Sequence, residues 1–314
     1  MWWLNARQYE STDDAFIDAR TASISSQVSG AIVDIPVTDN QLVDSGAVLA
    51  RVDDRDYRVT ADQAKAQVDQ ARATISNLDA QIDAQQARIE QAEKQVTEAQ
   101  AALTFAREED VRAQDLVKKG AGTQQRAQQT ASDLRQRQAT FDGAEVNLVV
   151  TQKQIAVLKT QREVAAGQLE QAQAAKEQAD INLARAVIVA PTAGWATKIT
   201  AAKGNYAQTG QALMMFVPRE LWVTANFKES QLTYMRPGQR VEIRVDAYPG
   251  HPFRGHIDSI QAGSGAAFSL LPPENATGNF VKVVQRVPVK IVFDDMPGVY
   301  LGPGMSVVPN VRVR

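Results

Sequence analysis

The sequence predicts an α+β protein: a long antiparallel α-helical coiled-coil hairpin is inserted into a β module split in two, and a small β-barrel domain follows. Three observations predict this. A proline-free block carries an apolar repeat of seven. The same glycine-marked strand motif occurs on both sides of that block. After it, short apolar runs alternate with Pro/Gly turns.

The helical block comes first in the argument. Pro36 is followed by no proline until Pro191, and between Arg58 and Val187 the only aromatic residues are Phe105 and Phe141. Ala and Gln, good helix formers without β-branching, dominate the stretch. Val68, Ile75, Ile82, Ile89, Val96 and Leu103 recur at intervals of seven. Ala71, Leu78, Gln85, Ala92, Ala99, Ala106 and Ala113 follow the same period three residues later. That is an a/d seam. It breaks at Lys118-Lys119-Gly120-Ala121-Gly122-Thr123, where two glycines end one helix and Thr123 can cap the next. A second seam runs back through Leu134, Phe141, Leu148, Ile155, Leu169 and Leu183, with Ala144, Leu158, Ala165, Ala172, Ala179 and Ala186 as companions and Arg162 and Lys176 as interruptions. Each arm of about 60 residues spans roughly 90 Å. Asp53-Asp54-Arg55-Asp56 reads as the capped, acidic start of the first helix.

The flanking motif is a repeat. At a constant offset, Gly30 falls on Gly194, Ile35 on Ile199, Gly46 on Gly210, Leu49 on Leu213 and Val52 on Phe216. Each copy reads strand, glycine, alternating strand, polar turn, glycine, strand. Glycines at matched corners permit a positive φ or a close backbone approach. A half of this size cannot bury a core alone, so the two halves are expected to pack on each other. The segment between them must then leave and return. Its midpoint, residue 121, lies in the Gly120-Gly122 turn, as an antiparallel hairpin with equal arms requires.

From Leu221 onward, strands are expected at Trp222 to Phe227, Arg240 to Val245, Gly255 to Ile260, Val287 to Phe293 and Val307 to Val313, enough for a small barrel. Ala262 to Phe280 reads as a long loop, a length that marks a functional or mobile segment. The resulting divisions are 1–20, 21–53 and 188–217 as the two half-modules, 54–187 as the hairpin and 218–314 as the barrel domain.

Composition excludes several function classes. The 314 residues contain no cysteine, which removes thiol nucleophiles, thiolate metal sites and iron–sulfur clusters. A formal net charge of −2 without a concentrated basic patch argues against nucleic acid. His251 and His256, set among Pro249, Gly250, Pro252 and Gly255, read as solvated turn residues, since no third ligand stands at metal spacing. Met214-Met215 reads as strand packing, and Asn275-Ala276-Thr277 is a sequon without an assigned role. No catalytic constellation is present. No run of about 20 apolar residues occurs. Met1-Trp2-Trp3-Leu4 reads either as the last turn of a membrane helix at the interface or as ordinary terminal residues.

Half-lipoyl motifs flanking a helical hairpin, followed by a β-barrel, resemble the HlyD-like periplasmic adaptor (membrane fusion protein) family. Thr12-Asp13-Asp14-Ala15, Leu221 to Glu229, Met235-Arg236-Pro237-Gly238-Gln239, Ala267 to Pro272, Asn275 to Asn279 and Val283 to Arg286 are similar to the EmrA-type multidrug efflux adaptors. The resemblance implies a non-enzymatic periplasmic protein without a cofactor, associated with the bacterial inner membrane. It also implies a transporter partner of major-facilitator type, an outer-membrane TolC-like channel and self-association into a ring. Residues 1–20 would be membrane-proximal, with Trp2-Trp3-Leu4 the stump of an N-terminal membrane helix that the sequence as given lacks. In a true lipoyl or biotinyl domain the modified lysine sits between the halves, where this chain carries its hairpin, so carrier chemistry is the weaker alternative. An adaptor for an ABC-type exporter is another. Many adaptors present Arg-x3-Leu-x6-Ser at the hairpin tip to dock the channel. Here Arg112, Leu116 and Thr123 stand at that spacing, with threonine for serine. The competing reading makes Leu116 a seam residue and Thr123 a simple N-cap.

Overall fold

In the computed structural model, which describes residues 8–268, 284–295 and 298–314, the chain divides into two compact units. One comprises residues 1–53 with 185–314 and the other residues 54–184. Trp2-Trp3-Leu4, the sequon at Asn275 and most of the long loop after Ala262 lie outside the described residues. Among the described residues no helix is long and apolar enough to cross a membrane.

The first unit contains the split module. Its strands are β3 (Ala22–Ser25), β4 (Gly30–Asp34), β5 (Gln41–Val43) and β6 (Val48–Val52) from the first half. The second half supplies β7 (Val187–Val189), β8 (Gly194–Thr197), β9 (Tyr206–Ala207) and β10 (Ala212–Pro218). They form two sheets, ordered β3-β10-β8-β5 and β7-β6-β4-β9. Shifting the first half by the repeat offset converts one order into the other, so the sheets are pseudo-equivalent. Each contains strands of both halves, and each outer strand is paired to the opposite half. The corners obey the same relation. Gly46 N–H donates to Ala190 C=O and Gly210 N–H to Ser26 C=O, both at 2.8 Å.

The four repeat glycines divide into two kinds. Gly46 and Gly210 have φ of 81° and 86°, a left-handed conformation that favours glycine. Gly30 and Gly194 are required by close approach. A Cβ on Gly30 would stand 2.6 Å from Val52 Cγ1, and one on Gly194 2.8 Å from the Phe216 ring and 2.3 Å from the Val217 carbonyl oxygen. Val52 and Phe216 are themselves repeat equivalents. The chain exits and re-enters the module at one place, where Val52 N–H donates to Ala186 C=O at 2.8 Å.

The barrel sheet runs β1-β15-β12-β13-β14-β11-β2. Its later strands are β11 (Leu221–Lys228), β12 (Arg240–Val245), β13 (Phe253–Ile260), β14 (Arg286–Phe293) and β15 (Val307–Arg312). The sheet closes because β2 bonds back to the approach to β15: Ile17 N–H donates to Met305 C=O at 2.9 Å and Gly304 N–H to Ile17 C=O at 2.8 Å. Ile17, Val223, Phe227, Ile243, Ile257 and Ile291 fill its interior. Residues within the expected N-terminal segment 1–20 therefore form barrel strands, β1 (Tyr9–Ser11) and β2 (Ala15–Ala19). One local expectation is corrected. His256 lies on β13 with its Nδ1 2.6 Å from Asp294 Oδ1, so it is a paired strand residue; His251 does sit in a turn, its N–H bonded to Tyr248 C=O. Met214 is buried on β10.

The second unit is the helical pair α1 (Arg55–Lys118) and α2 (Gln124–Ala184). At 1.5 Å per residue, α1 is about 96 Å long. Val68, Ile89, Ala92, Leu103 and Ala106 are buried along its seam, and Leu158, Ala165 and Ala179 along that of α2. The period continues beyond Leu103 to Asp110, which is buried, and Val117, which is half-buried. Polar bonds tie the arms. Gln85 Nε2 donates to Thr151 C=O at 2.9 Å, and the buried Thr130 hydroxyl donates to Asp110 Oδ1 at 3.1 Å. Arg162, an apparent seam interruption, turns outward to pair with Asp79 of the opposite arm. The hydrogen bond and the charge of Asp79 raise its pKa above the ordinary guanidinium value. Lys176 pairs with Asp180 on its own helix. Asp54 occupies the N-cap of α1, but its side chain makes no capping bond. Arg58 takes the carboxylate through Nε and Nη2 at 2.9 and 2.7 Å.

Two substitutions test this packing. Gly194→Ala should destabilise the first unit by about 1–3 kcal/mol, because backbone must move to admit the methyl group, and thermal unfolding should show the loss. Ile82→Asp places an unpaired carboxylate in the seam and should cost about 2 kcal/mol. An unchanged melting curve for that variant would contradict the paired arms.

Candidate functional site: the hairpin tip

The tip is a built turn. α1 ends with Gly120 at φ 70°. Gly120 N–H donates to Val117 C=O at 3.0 Å and Ala121 N–H to Leu116 C=O at 2.9 Å. These paired bonds satisfy carbonyls that the helix end would otherwise orphan. A Cβ on Gly122 would stand 3.1 Å from Leu116 Cβ and 3.0 Å from Val117 N, so the second glycine lets the returning chain pass over Leu116. Thr123 then opens α2, its Oγ1 accepting from Arg126 N–H at 3.4 Å.

The heptad register separates the candidate residues from the seam. Val117 takes the half-buried seam position, and Leu116, one residue earlier, is 44% exposed. Arg112 is exposed on the same flank of α1, its Nη1 2.8 Å from Glu109 Oε1. The stripe extends upward to Phe105, 65% exposed despite its size. Positions 105, 109, 112 and 116 recur at four, three and four, which aligns them on one helical face. Thr123 is exposed across the turn. The structure thus places Arg112 and Leu116 on one solvent-facing stripe beside the Gly120–Gly122 turn, and gives Thr123 a capping bond.

Sequence reasoning missed Phe105 and Glu109 as members of this stripe, and missed the buried Asp110–Thr130 bond beneath it. The signal was present: continuing the sevens past Leu103 puts Asp110 and Val117 on the seam and leaves Leu116 outside. Gln114 Nε2 supplies a second donor to Asp110, at 2.7 Å from Oδ2, so this buried carboxylate is doubly bonded just above the turn. The tip exposes an apolar side chain, a guanidinium and a hydroxyl in Leu116, Arg112 and Thr123. Among the described residues no cluster of three His, Cys, Asp or Glu side chains is placed to hold a metal.

Comparison with known proteins agrees with this architecture. Residues 20–218 match the family described as "RND MFP, barrel-sandwich hybrid domain", and residues 220–267 match "CusB-like, beta-barrel domain". The chain is 36% identical over 98% of its length to the colistin resistance protein EmrA of Acinetobacter baumannii, covering 88% of that protein. It is 33% identical over 99% of its length to the multidrug export protein EmrA of Haemophilus influenzae, covering 78% of it. The crystal structure of MacA from Actinobacillus actinomycetemcomitans shares the fold, with a TM-score of 0.57 at 17% identity, over 98% of this chain and 80% of that one. The family match over the split module and its hairpin, together with the near-full-length relatives, places the chain in one class, the non-enzymatic membrane fusion adaptors. The chain belongs to the membrane fusion protein family, and within it to the EmrA type.

The turn geometry sets an expectation. Gly120→Val forces a β-branched residue into the left-handed region and should destabilise the hairpin by about 1–2 kcal/mol. Circular dichroism melts of parent and variant would measure the difference.

Proposed function

We propose that this chain is the periplasmic adaptor of a tripartite multidrug efflux system. It would link an inner-membrane transporter of the major-facilitator type to an outer-membrane TolC-like channel. The observation that carries this reading is the near-full-length identity to proteins named for multidrug export and colistin resistance, together with a hairpin whose tip presents Arg112 and Leu116 to solvent. Under it the function is geometric. The transporter supplies the energy, several copies of this chain form a ring, and the hairpins carry the path toward the channel.

The tip stripe supplies the docking chemistry. Leu116 offers an apolar side chain to a notch between partner helices, and Arg112 can exchange Glu109 for a carboxylate or carbonyl of the channel. Thr123 adds a hydroxyl beyond the turn.

Leu116→Asp tests this assignment, because it charges an exposed residue that the seam does not use. Export of a pump substrate should fall to the level of cells lacking the protein, while the helical circular-dichroism signal stays at the parent value. Persistent efflux would remove the docking role from the tip. Co-purification with an ATPase in place of a major-facilitator protein would overturn the transporter assignment.

A further inference from the structure

The last two heptads of α1 set seam position against side-chain size. The seam there consists of Ala106, Asp110, Ala113 and Val117, the first three buried and the last half-buried. The large apolar residues stand outside it: Phe105 and Leu116, on the stripe described above, are 65% and 44% exposed. That stripe lies about 100° around the helix from the seam. The opposite flank carries Val111 among Arg107, Gln114 and Lys118, so it does not balance the pull. Burial of apolar surface therefore favours turning α1 toward its Phe105 and Leu116 side.

Asp110 opposes that turn. Its carboxylate is buried, makes no ion pair among the described residues and accepts two hydrogen bonds. Gln114 lies on the same helix and rotates with it, so its bond to Oδ2 at 2.7 Å satisfies the acid without fixing the arm. The turn does not fix α1 against α2 either, because Gly120 and Ala121 donate to carbonyls of α1 itself. Among the described residues the Thr130 hydroxyl, 3.1 Å from Oδ1, is the donor that ties Asp110 to α2. The same hydroxyl lies 3.1 Å from the Ala127 carbonyl, so its one proton is shared between two acceptors. A partial turn, enough to start burying Leu116, breaks the bond to Asp110 while the carboxylate is still out of water. A polar side chain at a single a position sets helix alignment in this way, at a cost in stability.

We propose that Asp110 and Thr130 are positioning residues of the tip: their bond fixes the rotation of α1 and thereby keeps Phe105 and Leu116 facing solvent. The consequence for a partner rests on the docking role proposed above; the positioning itself does not.

The chain contains no cysteine, so single introduced thiols report the rotation. Leu116→Cys marks the exposed stripe and Ala106→Cys the buried seam, and each is labelled with N-ethylmaleimide in the full chain. Thr130→Val keeps the side-chain shape and removes the donor. In that background the Leu116→Cys thiol should label about threefold more slowly and the Ala106→Cys thiol about threefold faster. Thr130→Ser keeps the hydroxyl and should leave both rates at the parent value. Combining Asp110→Leu with Thr130→Val should also restore both, since leucine suits that seam position. A role in stability alone would not give opposed changes, because local opening speeds both thiols. Two results in the Thr130→Val chain overturn the inference: both rates rising together, or neither changing. Export in cells is the separate readout, made on chains without introduced thiols. It should drop about fivefold with Thr130→Val and return when Asp110→Leu is added. Opposed labelling with undiminished export would uphold the positioning and remove the docking role from the tip.

Discussion

The structure depends on the interlocking of two half-modules that cannot fold apart. Each sheet of the module takes its two inner strands from one half and its two outer strands from the other. Neither half has a complete sheet face of its own, and isolated strands of two to seven residues are not stable. Folding must therefore bring together segments separated by the whole hairpin. The loop-closure cost grows slowly with length, and α1 and α2 lower it further by pairing locally and delivering both ends to one place. The bond from Val52 N–H to Ala186 C=O is where that delivery is completed.

The hairpin solves a different problem. Its seam is rich in alanine, so each layer contributes little apolar area, and a seam of this composition is prone to slide. Polar contacts spaced along the arms counter that. Asp79–Arg162, Gln85–Thr151 and Asp110–Thr130 are satisfied only near one alignment. Asp110, the buried carboxylate of this set, lies closest to the turn with the buried Thr130 as its donor, so a shift there would strand a desolvated charge. Register at the tip is thus specified by chemistry, and Leu116 and Arg112 are held on the outer flank as a result. The adaptor character of the protein follows from these two devices together: a module that keeps the chain ends joined, and a pair of long helices that presents a defined surface far along the sequence from it.

Much of this was legible in the residues. The sevens from Val68 to Leu103 correspond to seam positions, and the repeat offset carries every strand of one half-module onto a strand of the other. What escaped reading has physical causes. β2 alternates only weakly, because Phe16 sits on its outer side and small alanines on its inner side, and its place is decided by β11, some 200 residues later. The left-handed turn at Gly204 has Asn40 as its counterpart, with φ 63°. Asparagine tolerates that conformation, so the repeat lost a glycine signal there. Asp110 hid the seam near the tip, since a carboxylate at a core position breaks an apolar pattern unless its donors, Thr130 and Gln114, are foreseen. The exposed placement of Leu116 follows only once that break is read through.

The reunion of the split module is tested most directly by a disulfide across its junction. Arg51 on β6 and Val187 on β7 face each other in register at the two ends of the hairpin segment, and the chain has no other thiol. The doubly substituted chain, Arg51→Cys with Val187→Cys, should oxidise to an intramolecular disulfide in near-complete yield as a monomer, with a raised melting temperature. Thiols that stay free under oxidant, or that link only one molecule to another, would contradict the account.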